Sequence, residues 1–98
     1  MENLVIKRYY INHSDKYPIK MPKGAQLLLV EADKRRYYVH ALVNSNTRQT
    51  EKYYFKIYSV GLTHETKIRN DGFSYLGSTS TSFGDVNRVV HVFYSKSE

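Results

Sequence analysis

The sequence predicts an all-β protein, a single small antiparallel sandwich or partly closed barrel of about six strands. Three observations carry that expectation. Apolar residues alternate with period two almost everywhere, and no stretch has a convincing helical period. Ten tyrosines and four phenylalanines enrich the chain in residues that favour strands. Turn chemistry punctuates the apolar stretches, as at Lys23-Gly24 and Asn70-Asp71-Gly72.

Leu4 to Asn12 reads as the first strand, and His13-Ser14-Asp15-Lys16 as a polar turn. Tyr17 to Pro22 is extended, because each proline fixes its own φ and pushes its predecessor toward β. Ala25 to Ala32 is the second strand; its run Leu27-Leu28-Leu29-Val30 suggests burial on both faces. Asp33-Lys34-Arg35 is a short link, so Arg36 to Asn44 returns as the third strand of a hairpin. Ser45 to Glu51 reads as a loop and Lys52 to Val60 as the fourth strand. A second long loop covers Gly61 to Asp71. Phe73 to Ser82 is the fifth strand, its hydroxyl run Ser78-Thr79-Ser80-Thr81-Ser82 reading as an edge strand or a loop. Phe83 to Asn87 turns the chain back, Arg88 to Tyr94 closes the fold, and residues 95–98 read as a frayed tail.

Length and composition narrow the function. Residues 1–98 form one domain with a modest core, which a shared subunit interface would help to stabilise. No cysteine is present, so disulfides and thiolate metal sites are excluded. No secretory signal is visible after Met1, and no segment approaches the roughly 20 apolar residues that span a bilayer. The expectation is a soluble, intracellular protein without membrane partners. Fifteen basic against nine acidic residues give a net charge of +6, which favours anionic partners.

The most informative residues are three tyrosine doublets, each beside positive charge: Lys7-Arg8-Tyr9-Tyr10, Lys34-Arg35-Arg36-Tyr37-Tyr38 and Lys52-Tyr53-Tyr54-Phe55-Lys56. Tyrosine supplies a flat ring for stacking on a base; arginine and lysine supply charge for phosphate. The same composition also suits an ordinary tyrosine-rich sheet or a subunit contact. Alternation decides which ring of each doublet is available. In the third strand Tyr37, Val39, Ala41 and Val43 share the apolar face, leaving Arg36, Tyr38, His40 and Asn44 opposite. In the fourth, Tyr53, Phe55 and Ile57 oppose Tyr54, Lys56 and Tyr58. The first strand is divided: Leu4, Ile6 and Tyr10 share a face with Arg8, and Lys7 and Tyr9 lie opposite. Candidate ligand-binding residues are therefore Arg8, Arg36, Tyr38, His40, Tyr54, Lys56 and Tyr58.

Catalytic and metal motifs are sparse. His13, His40, His64 and His91 do not pair at the spacings of compact metal sites. His91, inside Val89-Val90-His91-Val92-Phe93, reads as a half-buried histidine more than as a ligand contact. A single His-x-Thr match, His64-Glu65-Thr66, is half of what a two-histidine phosphoesterase needs. No nucleophile elbow or phosphate-binding P-loop occurs. The expectation is a binding protein, not an enzyme, needing no metal and no cofactor.

Several segments, in order, carry a resemblance. They are Met21-Pro22-Lys23-Gly24-Ala25-Gln26-Leu27-Leu28, Val39-His40-Ala41-Leu42-Val43-Asn44, Tyr54-Phe55-Lys56-Ile57-Tyr58 leading to Gly61, Tyr75-Leu76-Gly77-Ser78 and Val90-His91-Val92-Phe93-Tyr94. From about Met21 to Tyr94 they resemble a family of small tailed-phage proteins, akin to the anti-CBASS sponges that sequester cyclic dinucleotide immune signals. Where such proteins often carry a Gly-Thr-Gly-His-like loop, this chain reads Ser59-Val60-Gly61-Leu62-Thr63-His64, with one glycine lost and the histidine displaced. The resemblance implies capture without cleavage of a cyclic dinucleotide such as cGAMP. It places the protein in the cytoplasm of the infected bacterial host. Nanomolar capture needs about −12 kcal/mol. A pocket between subunits reaches that more readily than one open sheet face, so a homo-oligomer, a dimer or tetramer, is expected. Tyr38, Tyr54 and Tyr58 would stack on bases, with Arg8, Arg36 and Lys56 on phosphates. The alternatives are an inhibitor that binds a host defence protein or nucleic-acid complex, and a general single-strand binder; no long nucleic acid is expected as partner.

Overall fold

The computed structural model describes residues 3–11, 17–34, 36–59, 72–83 and 86–97. They form seven strands: β1 (Leu4–Ile11), β2 (Ile19–Pro22), β3 (Gln26–Asp33), β4 (Arg36–Asn44), β5 (Thr50–Ser59), β6 (Ser74–Phe83) and β7 (Val86–Ser97). β1, β4 and β3 make a three-stranded antiparallel sheet in that order. β2, β5, β7 and β6 make a four-stranded one. The all-β expectation holds, and the architecture is a two-sheet sandwich rather than a closed barrel. Among the described residues no helix is long and apolar enough to cross a membrane.

Alternation builds the core. Tyr37, Val39, Ala41 and Val43 of β4 are buried, with Tyr53 and Phe55 of β5 and Val90 and Val92 of β7. Ile11, Met21 and Val30 complete the buried set. Full burial of such aliphatic and aromatic side chains is worth about 1.5–3 kcal/mol each, so the interleaved rows hold the two sheets together. On β1 the core takes Val5, Tyr9 and Ile11. That leaves Leu4 and Ile6 outward, 51% and 64% exposed.

Four expectations are corrected. The extended segment before Lys23-Gly24 is a strand in its own right, because Ile19–Pro22 pairs with Thr50–Tyr53 of β5; this raises the count from about six to seven. β5 correspondingly begins at Thr50, inside the segment expected to be loop. The run Leu27 to Val30 is not buried on both faces: a bulge between Leu27 and Leu29 interrupts the pairing with β4, and Leu28 and Leu29 are exposed. Ser95, Lys96 and Ser97 are not a frayed tail. They extend β7 and pair with Tyr54, Tyr53 and Lys52 of β5, so their backbone groups are held by the ladder. The hydroxyl run Ser78 to Ser82 lies in β6, at the sheet's edge.

Left-handed backbone occurs at three described positions, Gly24, Lys34 and Gly72. Gly24 has φ of 87° between β2 and β3, where a side chain would be strained. Lys34 accepts φ of 48° in the β3–β4 hairpin. The turn expected at residues 13–16, Val60 with the loop at 61–71, and Gly84-Asp85 lie outside the described residues, as do His13 and His64.

Candidate ligand-binding faces

The seven candidate residues divide between the two outer surfaces of the sandwich. Arg8 on β1 and Arg36, Tyr38 and His40 on β4 belong to the three-stranded sheet. Tyr54, Lys56 and Tyr58 on β5 belong to the four-stranded sheet. The core lies between the sheets, so the two groups cannot close on one ligand within one protomer.

On the three-stranded sheet, strand register aligns Arg8 with His40 and Tyr10 with Tyr38. Glu31 of β3 lies beside Tyr38 in the ladder, and its carboxylate gathers the Arg8 and His40 side chains. Its Oε1 accepts from His40 Nε2 at 2.7 Å and from an Arg8 guanidinium nitrogen at 3.3 Å. Asp33 lies 4.0 Å from the same arginine nitrogen. The Arg8 guanidinium also sits 4.1 Å from the Tyr38 ring centroid, covering one face of that ring. The His40 hydrogen bond, then Arg8, hold the Glu31 carboxyl below its ordinary value. An incoming phosphate would thus compete with Glu31 for Arg8. Around this network the surface is apolar, with Leu4, Ile6, Leu29 and Tyr10 exposed.

The four-stranded sheet presents a different surface. Tyr58 meets Phe93 edge to face at 5.8 Å, and Phe93 meets Tyr75 the same way at 5.2 Å. The Tyr75 hydroxyl and His91 Nδ1 are hydrogen bonded at 2.9 Å. The Lys56 ammonium lies 4.3 Å from the Phe73 ring centroid. Register and alternation put Lys20 and Lys52 on this same outer face, directly opposite one another in the β2–β5 pair. Among the described residues no aspartate or glutamate shares that face, since Glu51 points into the core.

Sequence reasoning missed Phe73, Tyr75 and Phe93 and set His91 aside. The signal was present in β7: with Val90 and Val92 inward, period two places His91 and Phe93 outward. Tyr75 was harder to assign, because a bulge between Tyr75 and Gly77 shifts the register of β6. Among the described residues no group of three histidines and carboxylates could hold a metal ion.

Comparison with curated proteins and with solved structures gives no significant match. Residues 2–98, almost the whole chain, match one protein family, and the chain belongs to it: the family described as Domain of unknown function (DUF7352).

Proposed function

We propose that this protein is a non-catalytic binder that sequesters a cyclic dinucleotide signal, of the cGAMP kind, at interfaces between its own subunits. In this reading it is a phage sponge that evades host immunity in the cytoplasm of an infected bacterium. The observation that carries the proposal is the outer face of the four-stranded sheet. It joins the rings of Tyr58, Phe93 and Tyr75 to His91 and to Lys20 and Lys52, which face one another there with no carboxylate beside them among the described residues. Exposed rings stack on bases at about 1–3 kcal/mol per base. Lysines attract phosphodiesters, which suits a chain of net charge +6.

One open face is too little for tight capture, because nanomolar binding requires about −12 kcal/mol net of ordering costs. A second copy supplies the rest. The apolar strip of the three-stranded sheet, with Leu4, Ile6 and Leu29, is the surface suited to that copy. Its Arg8 and Glu31 pair can exchange partners across a two-fold axis.

Isothermal calorimetry against a panel of cyclic di- and trinucleotides, with oligonucleotides as controls, tests the reading. Saturable binding of at least one cyclic dinucleotide, with intact ligand recovered after heat denaturation, is expected. Binding to none of them overturns it, and recovery of cleaved ligand replaces it with an enzyme. The same apolar strip favours a second reading, an inhibitor that docks on a host defence protein. A chain that is monomeric by sedimentation, ignores cyclic nucleotides and retains one host protein in a pull-down would select it.

A further inference from the structure

Two open sheets leave four edge strands, β1, β3, β2 and β6. Natural folds guard such edges with bulges, prolines, short strands or a covering element. Three of the four are guarded in these ways. β2 is four residues long and ends in Pro22. β3 and β6 each carry a bulge, between Leu27 and Leu29 and between Tyr75 and Gly77, and they come against one another along one side of the sandwich. β1 is the exception. It runs for eight residues without proline and holds one unbroken register against β4, from Leu4 to Ile11. Among the described residues no strand pairs with its other side.

One hydrogen bond tells which backbone groups of β1 are unpaired. The Ser45 N–H donates to the Asn3 carbonyl at 2.9 Å, in the register of the ladder, so Asn3 turns its carbonyl toward the β4 side. Bonded and non-bonded pairs alternate in an antiparallel ladder. Val5, Lys7, Tyr9 and Ile11 therefore bond to β4, and the N–H and C=O groups of Leu4, Ile6, Arg8 and Tyr10 point away from it. The side chains along that edge include two exposed aliphatic ones, Leu4 and Ile6. Arg8 does not guard the edge with its charge, because its guanidinium lies back over its own sheet, against Glu31 and the Tyr38 ring.

We propose that β1 is a dimerisation edge, which pairs antiparallel with β1 of a second copy about a two-fold axis at Ile6 and joins the two three-stranded sheets into one. Charge selects the axis. Centred on Lys7, the pair would set lysine against lysine, and centred on Arg8, arginine against arginine; like charges directly opposite are destabilising. Centred on Ile6, it sets Leu4 against the partner's Arg8 and Val5 against the partner's Lys7, so each aliphatic side chain meets an apolar stem. Ile6 meets its own copy at the axis, with Leu4 diagonal to it, and the exposed aliphatic side chains of both copies form one row. About six backbone hydrogen bonds close the pair, made by the outward groups of Leu4, Ile6 and Arg8. A second copy is the occupant because the strand is complementary to itself in this register: apolar lies on apolar and the two cations stay apart. The inference rests on the part of the proposed function that calls for a second copy, and it names the backbone that joins that copy. The pairing is lateral, so both outer faces remain open.

Sedimentation without nucleotide tests the edge apart from the sponge. The chain should sediment as a dimer that dissociates on dilution. Ile6→Pro removes an outward N–H and sets a ring on the free edge, yet takes no bond from β4, so it should give a monomer. Ile6→Lys, which sets lysine against lysine at the axis, should do the same. Dispersed amide spectra check that both variants fold. The chain has no cysteine, so Ile6→Cys supplies a single thiol. Opposite residues of a bonded antiparallel pair have Cα atoms about 5.5 Å apart, within the reach of a disulfide. Ile6→Cys should therefore oxidise to a covalent dimer, and Tyr10→Cys, far along the strand from its counterpart, should not. A chain that is monomeric at every concentration overturns the proposal. So does a dimer that persists undiminished in Ile6→Pro and Ile6→Lys, or one that Tyr10→Cys cross-links as readily as Ile6→Cys. An edge dimer that binds no cyclic dinucleotide would leave the edge standing and remove the sponge; a monomer that binds one would do the opposite.

Discussion

Replacing Lys96 by methionine should destabilise the protein through a residue the substitution does not touch. Methionine keeps much of the lysine stem, so the packing of that stem changes little. The ammonium 3.5 Å from Glu51 Oε2 is lost, and a carboxylate 5% exposed is left without its cation. Breaking a fully buried pair costs about 3–5 kcal/mol, and an exposed pair is worth about 0.2–1 kcal/mol. Here one partner is buried and the other 51% exposed, so the expected loss lies between, about 1–2 kcal/mol. Urea unfolding at neutral pH measures it. Glu51→Gln, which leaves Lys96 solvated instead, should cost less than Lys96→Met. In the Glu51→Gln background Lys96→Met should cost little, because no buried charge remains to be stranded. A Lys96→Met stability within about 0.5 kcal/mol of the parent, or an equal loss in both backgrounds, would refute the reasoning.

The remaining predictions concern two titrations and a turn. Burial, then the Glu51 carboxylate and Tyr94, push the Tyr53 hydroxyl from its ordinary 10.0 up to about 12. A pKa raised by folding gives stability that is complete below pH 10 and lost as pH rises through about 12. Urea midpoints should therefore fall less steeply above pH 10 in Tyr53→Phe than in the parent; parallel curves would argue against it. The Glu31 carboxyl, held down by His40 and then Arg8, should titrate below its ordinary 4.5 and move back toward that value in His40→Ala. Its contribution is present above pH 4.5 and fades as pH falls through the lowered value, and carboxyl carbon NMR reads the midpoint directly. Gly24→Ala meets no atom within 4 Å but must hold φ of 87°, so a loss of about 1 kcal/mol in urea unfolding is expected from the backbone alone.

Legibility followed how strongly each strand separates its two faces. β4 and β5 alternate cleanly, and the buried residues Tyr37, Val39, Ala41, Val43, Tyr53 and Phe55 are the ones period two selects. β1 has apolar residues on both faces, so alternation could not choose. The structure buries Val5, Tyr9 and Ile11 and leaves Leu4 and Ile6 to the uncovered side of the three-stranded sheet. The polar tail Ser95-Lys96-Ser97 read as frayed because composition says nothing of a partner strand; β5 provides one. Glu51 was invisible for the same reason. Placed at the end of an expected loop, it enters β5 on the inward side, opposite Met21. The candidate site was legible residue by residue but not as a site. β4 and β5 are neighbours in the chain, yet β4 pairs with β1 and β3 while β5 pairs with β2 and β7, so the two join different sheets. Tyr38 and Tyr58 therefore face opposite ways.

That separation gives the two surfaces different chemistry. On the three-stranded sheet Glu31 and Asp33 answer Arg8 and His40, and the network is set among exposed Leu4, Ile6 and Leu29. A surface with balanced charge and apolar surroundings loses little on meeting another copy of itself, since its ion pairs survive or exchange across the contact. On the four-stranded sheet Lys20 and Lys52 have no carboxylate beside them on the same face among the described residues. Packing that face against its own copy would set lysines against lysines, a like-charge cost that an anion placed between them reverses. Copies would therefore associate through the three-stranded face without ligand and through the four-stranded face only with one. Added salt would weaken the second contact and spare the first, because exposed uncompensated charges are the ones that ions screen.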